Sequence, residues 1–249
     1  MVPLLRASLA TALSSLAAFS ALPALAASVD NAALSSRLQL ALNAEDRLQA
    51  LSALMAPDQA TTLVESFRLF STRFPETRWA VRQGQPLADG RSTVQLSVSG
   101  TRQQDGLSYS FKAQQRLAFS TDQGLITSQE ILSDQSVLTS ARKPLPISLL
   151  IPDTVLTGSR YDVDVVVDQP LGKAILAGGL TAVTPQQVLA QESPDVQLEP
   201  LGGGGLFKSV QAPFQPGAQT WAALLVHPEG VITVSKRVQV VDDQAKLTP

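Results

Sequence analysis

The sequence predicts an α+β fold followed by an all-β one: N-terminal helices packed on a four-stranded antiparallel meander, then a β-sandwich. Three observations predict it. Apolar residues recur at helical spacing between Leu34 and Phe74, the period changes to two after Pro75, and beyond a proline-broken stretch near Pro144 only short strands remain.

The chain opens with Arg6 and then an uncharged run from Ala7 to Val29, rich in Leu and Ala, that closes on Pro23-Ala-Leu-Ala26-Ala27. Small residues at Ala24 and Ala26 suit signal peptidase, so residues 1–26 read as a secretory signal with cleavage after Ala26 or one residue later. Ser14, Ser15, Ser20 and Pro23 argue against a permanent anchor, and no stable membrane insertion is expected once the signal is removed. The expected location is the periplasm or the extracellular space, or the thylakoid lumen in a photosynthetic source.

The first domain is read as residues 31–141. Leu48, Leu51, Leu54 and Met55 form one helical stripe, and Leu63, Phe67 and Phe70 form the next. Asn43 with Asp46 three residues on has the spacing of a capping box, and Pro57 suits the first turn of the following helix. Trp79 and Val81 then share one strand face, and Val94, Leu96 and Val98 another. On the longest strand Leu107, Tyr109, Phe111, Ala113, Leu117 and Phe119 alternate, with Gln115 interrupting them. Glycine-bearing turns at 88–90, 104–106 and 122–124 separate these runs from a last strand near Leu125 to Leu138.

Residues 142–146, Arg-Lys-Pro-Leu-Pro, read as a linker, and 147–241 as the sandwich, with a tail at 242–249. Seven strands are expected, at Ile147–Ile151, Tyr161–Val167, Ala174–Val183, Val196–Glu199, Leu206–Gln211, Thr220–His227 and Val231–Val241, with Trp221 in the core.

In its order of elements the first domain resembles the cystatin-like α+β superfamily, which includes the nuclear-transport-factor-2-like proteins. The second resembles an immunoglobulin-like sandwich without its cysteine pair. The first resemblance implies a cone between helices and sheet that in some members holds an aspartate/histidine catalytic pair and in others serves binding or assembly. This first domain has no histidine, which removes that pair. Trp79, Tyr109 and Phe111 are the residues that would line a ligand pocket there, with ordinary core packing as the alternative.

Composition narrows the chemistry further. There is no cysteine, so no disulfide, thiolate zinc site or cysteine nucleophile is expected. The formal charge of −2 becomes −3 when the signal takes Arg6 with it, which offers no footprint for nucleic acid. His227, the one histidine, stands beside Pro228-Glu-Gly230 without a G-x-S-x-G elbow, and reads as a hairpin residue. Leu201-Gly-Gly-Gly-Gly-Leu-Phe-Lys-Ser209 imitates a phosphate-binding loop, but Phe207 stands where the second glycine must be. With Pro200 before it and a strand pattern after it, it reads as a connection between strands. Asp162, Asp164 and Asp168 alternate with valines, either as a weak calcium site or as the polar face of an edge strand, and the second reading is preferred. Glu65 and Glu130 are read as isolated acids, so no glycosidase pair is proposed.

No catalytic residue, metal site or cofactor is therefore expected. The sequence points to an exported, non-enzymatic binding or assembly module of the cell envelope, partnered by an envelope protein or a small ligand. The alternative is a carrier or enzyme that holds a small apolar ligand in the first-domain cone.

Overall fold

Three helices open the computed structural model, which describes residues 31–104, 106–140, 146–169, 176–190, 192–201 and 203–247. The segment read as a signal, residues 142–145 of the stretch read as a linker, Gly202 and residues 248–249 lie outside the described residues, as do the side chains of Leu63 and Glu65. The helices are α1 (Asn31–Leu42), α2 (Arg47–Ser52) and α3 (Pro57–Arg73). Asp46 caps α2 by accepting from the Gln49 backbone N–H at 3.0 Å. Asn43 is not the cap that its spacing suggested, because its side chain is engaged elsewhere. Pro57 sits at the first position of α3, where the missing N–H costs no helical bond.

The alternating segments form β1 (Glu76–Gln83), β2 (Ser92–Gln104), β3 (Leu107–Asp122) and β4 (Leu125–Thr139). After them come β5 (Ile147–Leu150), β6 (Thr154–Leu156), β7 (Arg160–Val167), β8 (Leu176–Val183), α4 (Pro185–Leu189), β9 (Glu199–Leu201), β10 (Gly205–Gln211), β11 (Gly217–His227) and β12 (Gly230–Val241).

The pairing overturns the predicted fold class. A four-stranded meander and a separate immunoglobulin-like sandwich are replaced by one large sheet in the order β1-β2-β3-β4-β12-β11-β8-β9, to which β6 adds by parallel pairing with β12. A second sheet has the order β10-β7-β5. The protein is mostly β, and β4 does not close the meander, because Asp134–Thr139 pair antiparallel with Ile232–Arg237 of β12. Alternation tells which face of a strand is apolar and says nothing of what its free edge will meet. Two further readings are corrected. Helix α4 interrupts the strand-only region, held by a capping box between Thr184 and Gln187. Strand β7 is central rather than an edge, flanked by β10 and β5.

The chain divides into two compact units, and β4 contributes to both. The first contains the described residues up to 102 and residues 112–132. In it α3 lays Phe67 and Phe70 against Trp79, with ring centroids 5.7 Å apart in each case, and Phe70 stacks on Phe74. Segment 54–56 bonds to Ile126 at the start of β4 through Ile126 N–H to Leu54 O and Ala56 N–H to Ile126 O.

Strand β1 has one free edge, and α1 covers it. Gln39 accepts from the Val81 N–H at 2.6 Å and donates to the Trp79 carbonyl at 2.9 Å. Asn43 donates to the same carbonyl and accepts from the Trp79 N–H, while Arg47, which begins α2, donates to the Thr77 carbonyl. These side chains supply the partners that a neighbouring strand would otherwise supply.

The second unit contains the described residues of 103–111 and those from 133 onward. Its core lies between the two sheets. Tyr161, Val163, Val165 and Val167 on β7 and Leu206 on β10 pack with Trp221 and Leu225 on β11 and with Ile232, Val234 and Val238 on β12.

Candidate functional site

Strand β7 alternates strictly, with Tyr161, Val163, Val165 and Val167 buried and Arg160, Asp162, Asp164 and Val166 on the other face. Register extends that outer face to both neighbours. Asp164 stands opposite Phe207 of β10 on one side and Leu150 of β5 on the other. A single row therefore runs across the three-stranded sheet: phenylalanine, aspartate, leucine. Its ends are open, Phe207 being 64% exposed and Leu150 60%. The next row places half-buried Val166 between Gly205 and Ser148.

The acids of this face are tied to the edge strand. Asp162 accepts from the Ser209 hydroxyl, and Asp164 accepts from the Lys208 backbone N–H at 3.3 Å. Neither forms an ion pair among the described residues.

Lys208 has the opposite parity to Phe207 and, although exposed, turns toward the large sheet, its ammonium 5.5 Å from the centre of the Trp221 ring. Trp221 Nε1–H donates to the Tyr161 hydroxyl at 2.9 Å, which donates to Gln219 Oε1 at 2.6 Å. Burial pushes the Tyr161 hydroxyl above its ordinary pKa of 10.0, and the hydrogen bond from Trp221 offsets part of that rise. An inward-facing lysine on an edge strand discourages another strand from adding there.

The glycine stretch has a structural role. Chain leaving β9 at the edge of the large sheet enters β10 at the edge of the small one, so the segment between them changes sheets. Gly203 has open space where a side chain would stand. A Cβ on Gly205 would lie 2.4 Å from the Val165 carbonyl oxygen, so this glycine lets β10 approach β7. Lys208 lies within a strand and no helix follows the glycines, which removes the geometry of a phosphate-binding loop.

A groove of about 440 Å³ lies on β8 beside the segment that leads to β9, lined in part by Gly179, Thr181, Asp195, Gln197 and Glu199. It brings two carboxylates to one opening, and no cluster of three metal-ligating side chains forms among the described residues.

The three aromatic pocket candidates are all buried. Trp79 is buried in the first unit, its indole N–H donating to Thr77 Oγ1 at 3.1 Å and its ring against Phe67 and Phe70. Tyr109 and Phe111, two apart on β3, are buried residues of the second unit. His227 closes the β11–β12 hairpin by accepting from the Glu229 N–H at 3.1 Å. Glu130 is not isolated, since it pairs with Arg91 at 2.6 Å, which also holds Asp89 at 2.7 Å.

Sequence reasoning passed over Phe207 and Leu150. The parity of Phe207, opposite to that of Leu206 and Val210, is a sequence signal that it faces away from the core.

Residues 142–241 match the family model described as a domain of unknown function (DUF8623), from the linker to the last residue of β12. No curated protein matches the chain.

Proposed function

We propose that the protein is an exported, non-enzymatic binding or assembly module of the cell envelope, and that it docks a protein partner through the outer face of the β10-β7-β5 sheet. The observation that carries this reading is the row of Phe207, Asp164 and Leu150, in which two large apolar side chains stand mostly in solvent on a rigid sheet. Large apolar side chains held in solvent along one row of a sheet are what a binding surface uses as anchors. Trp79 packs on Phe67 and Phe70, an ordinary core role that favours a module over a carrier.

A photo-cross-linking phenylalanine analogue at position 207, in the chain expressed in its own envelope, tests the reading. A discrete protein adduct is expected there and not from the same analogue at Gln95, an exposed position on β2. Equal or absent cross-linking at the two positions refutes it.

One observation favours a second reading, a small-ligand carrier. Gln115 is 4% exposed on the apolar face of β3, and its Nε2 has no hydrogen-bond acceptor among the described residues. A buried amide in that state is costly unless a water or ligand meets it.

A further inference from the structure

We infer that the partner presents an amphipathic helix lying across the three strands, with a lysine or arginine between two apolar side chains. This rests on the binding-module reading of the same face and gives its partner a chemistry. Neighbouring strands stand about 4.8 Å apart, so Phe207 and Leu150, two strands from one another, are about 10 Å apart with Asp164 midway. A helix repeats its face at i, i+3 or i+4, and i+7, which is about 4.5–6 Å and then about 10.5 Å along its axis. That spacing matches the row. A strand laid the same way places its same-face side chains about 6.8 Å apart and falls out of step.

The central charge selects among occupants. Two copies of this chain packed face to face about a two-fold axis through the row would match Phe207 with Leu150, but would press Asp164 onto its own symmetry mate. An anionic lipid surface is disfavoured by Asp162 and Asp164, which outnumber Arg160 on this face of β7. Addition of a strand at the β10 edge is opposed by inward-facing Lys208. A base set between apolar residues meets the acid and leaves the flanking side chains covered.

The test uses the mature full-length chain and two synthetic stapled helical peptides that carry leucine at i and i+7 and differ only at i+4, one with lysine and one with glutamate. Fluorescence anisotropy is expected to show the lysine peptide bound about tenfold more tightly than the glutamate peptide. Asp164→Lys should reverse that order, and Phe207→Ser should weaken both. The peptide swap changes nothing in the protein, so it decides the matter even if Asp164→Lys folds poorly. Equal binding, no binding, or preference for glutamate overturns the inference. So does uptake by anionic phospholipid vesicles, or self-association of the wild-type chain in sedimentation that Phe207→Ser abolishes. If the peptides fail while position 207 still cross-links to an envelope protein, the helical partner is withdrawn and the binding module stands. If both fail, both are withdrawn.

Discussion

Replacing Gln39 by leucine removes the side chain that joins α1 to the free edge of β1, while keeping its bulk and helix propensity. Two hydrogen bonds are lost, from Val81 N–H to Oε1 and from Nε2 to the Trp79 carbonyl. The losses are unequal. The Trp79 carbonyl keeps its bond from Asn43, whereas no other acceptor for the Val81 N–H is described at that edge. A net hydrogen bond contributes about 0.5–1.5 kcal/mol, and an orphaned half-buried donor adds part of its desolvation cost, so the variant should lose about 1–2 kcal/mol. With a urea dependence of about 1–3 kcal/mol per molar, the midpoint falls by about 0.3–2 M. The protein has two tryptophans, so a Trp221→Phe background lets Trp79 report the first unit alone. Amide exchange at Val81 should accelerate in parallel. An unchanged midpoint with unchanged Val81 protection would mean that α1 holds β1 by its apolar stripe of Leu34, Leu38 and Ala41 alone, and that the polar bridging contributes nothing.

Three further outcomes are expected. Tyr161→Phe leaves the buried Trp221 indole N–H without its acceptor and should cost about 1–2 kcal/mol. Because the Tyr161 hydroxyl is held above pKa 10.0, its contribution is complete below pH 10 and is lost as pH rises through the raised value. Thermal melts between about pH 8 and 11 should therefore show an alkaline decline that is smaller in Tyr161→Phe. Gly179→Ala places a Cβ 2.0 Å from the Gln197 carbonyl oxygen and should destabilise the second unit by about 1–3 kcal/mol, whereas Gly203→Ala meets open space and should stay within about 0.5 kcal/mol by the same melts. Gln115→Leu removes an unpartnered buried amide and should raise stability by about 1 kcal/mol, so a loss of stability in chemical denaturation would show that a water or ligand bonds that nitrogen.

Periodicity located β1 to β4 and most later strands within a few residues, because alternation is a local property of half-buried sheet. The break at Gln115 in β3 was visible in the same way. The fold class was not legible, since it turns on β4 meeting β12 and on β7 lying between β10 and β5, and edge pairing leaves no periodic trace. Helix α4 was legible and missed: Thr184-Pro-Gln-Gln187 carries a cap, a first-turn proline and the reciprocal glutamine. For the candidate site, the alternation of Asp162 and Asp164 showed a solvent face. Only the register, which sets Phe207 and Leu150 beside Asp164, turned that face into a row of mixed character.

The pairing of β4 with β12 has a consequence in time. Ser136 and Ser235, whose hydroxyls are hydrogen-bonded at 2.8 Å in that pairing, are 99 residues apart in sequence. Closing a loop of that length costs about 4 kcal/mol of chain entropy before any contact repays it. A ribosome adding about 5–20 residues per second reaches β12 some 5–20 s after β4, and until then the later half of β4 has no neighbour on that side. The nascent chain thus carries an open strand edge from the making of β4 until β12 arrives, and the large sheet is completed only then. Folding should be slow for a chain of this size, governed by one long-range closure, and a holding factor that shields β4 would raise yield more than one that hastens helix formation.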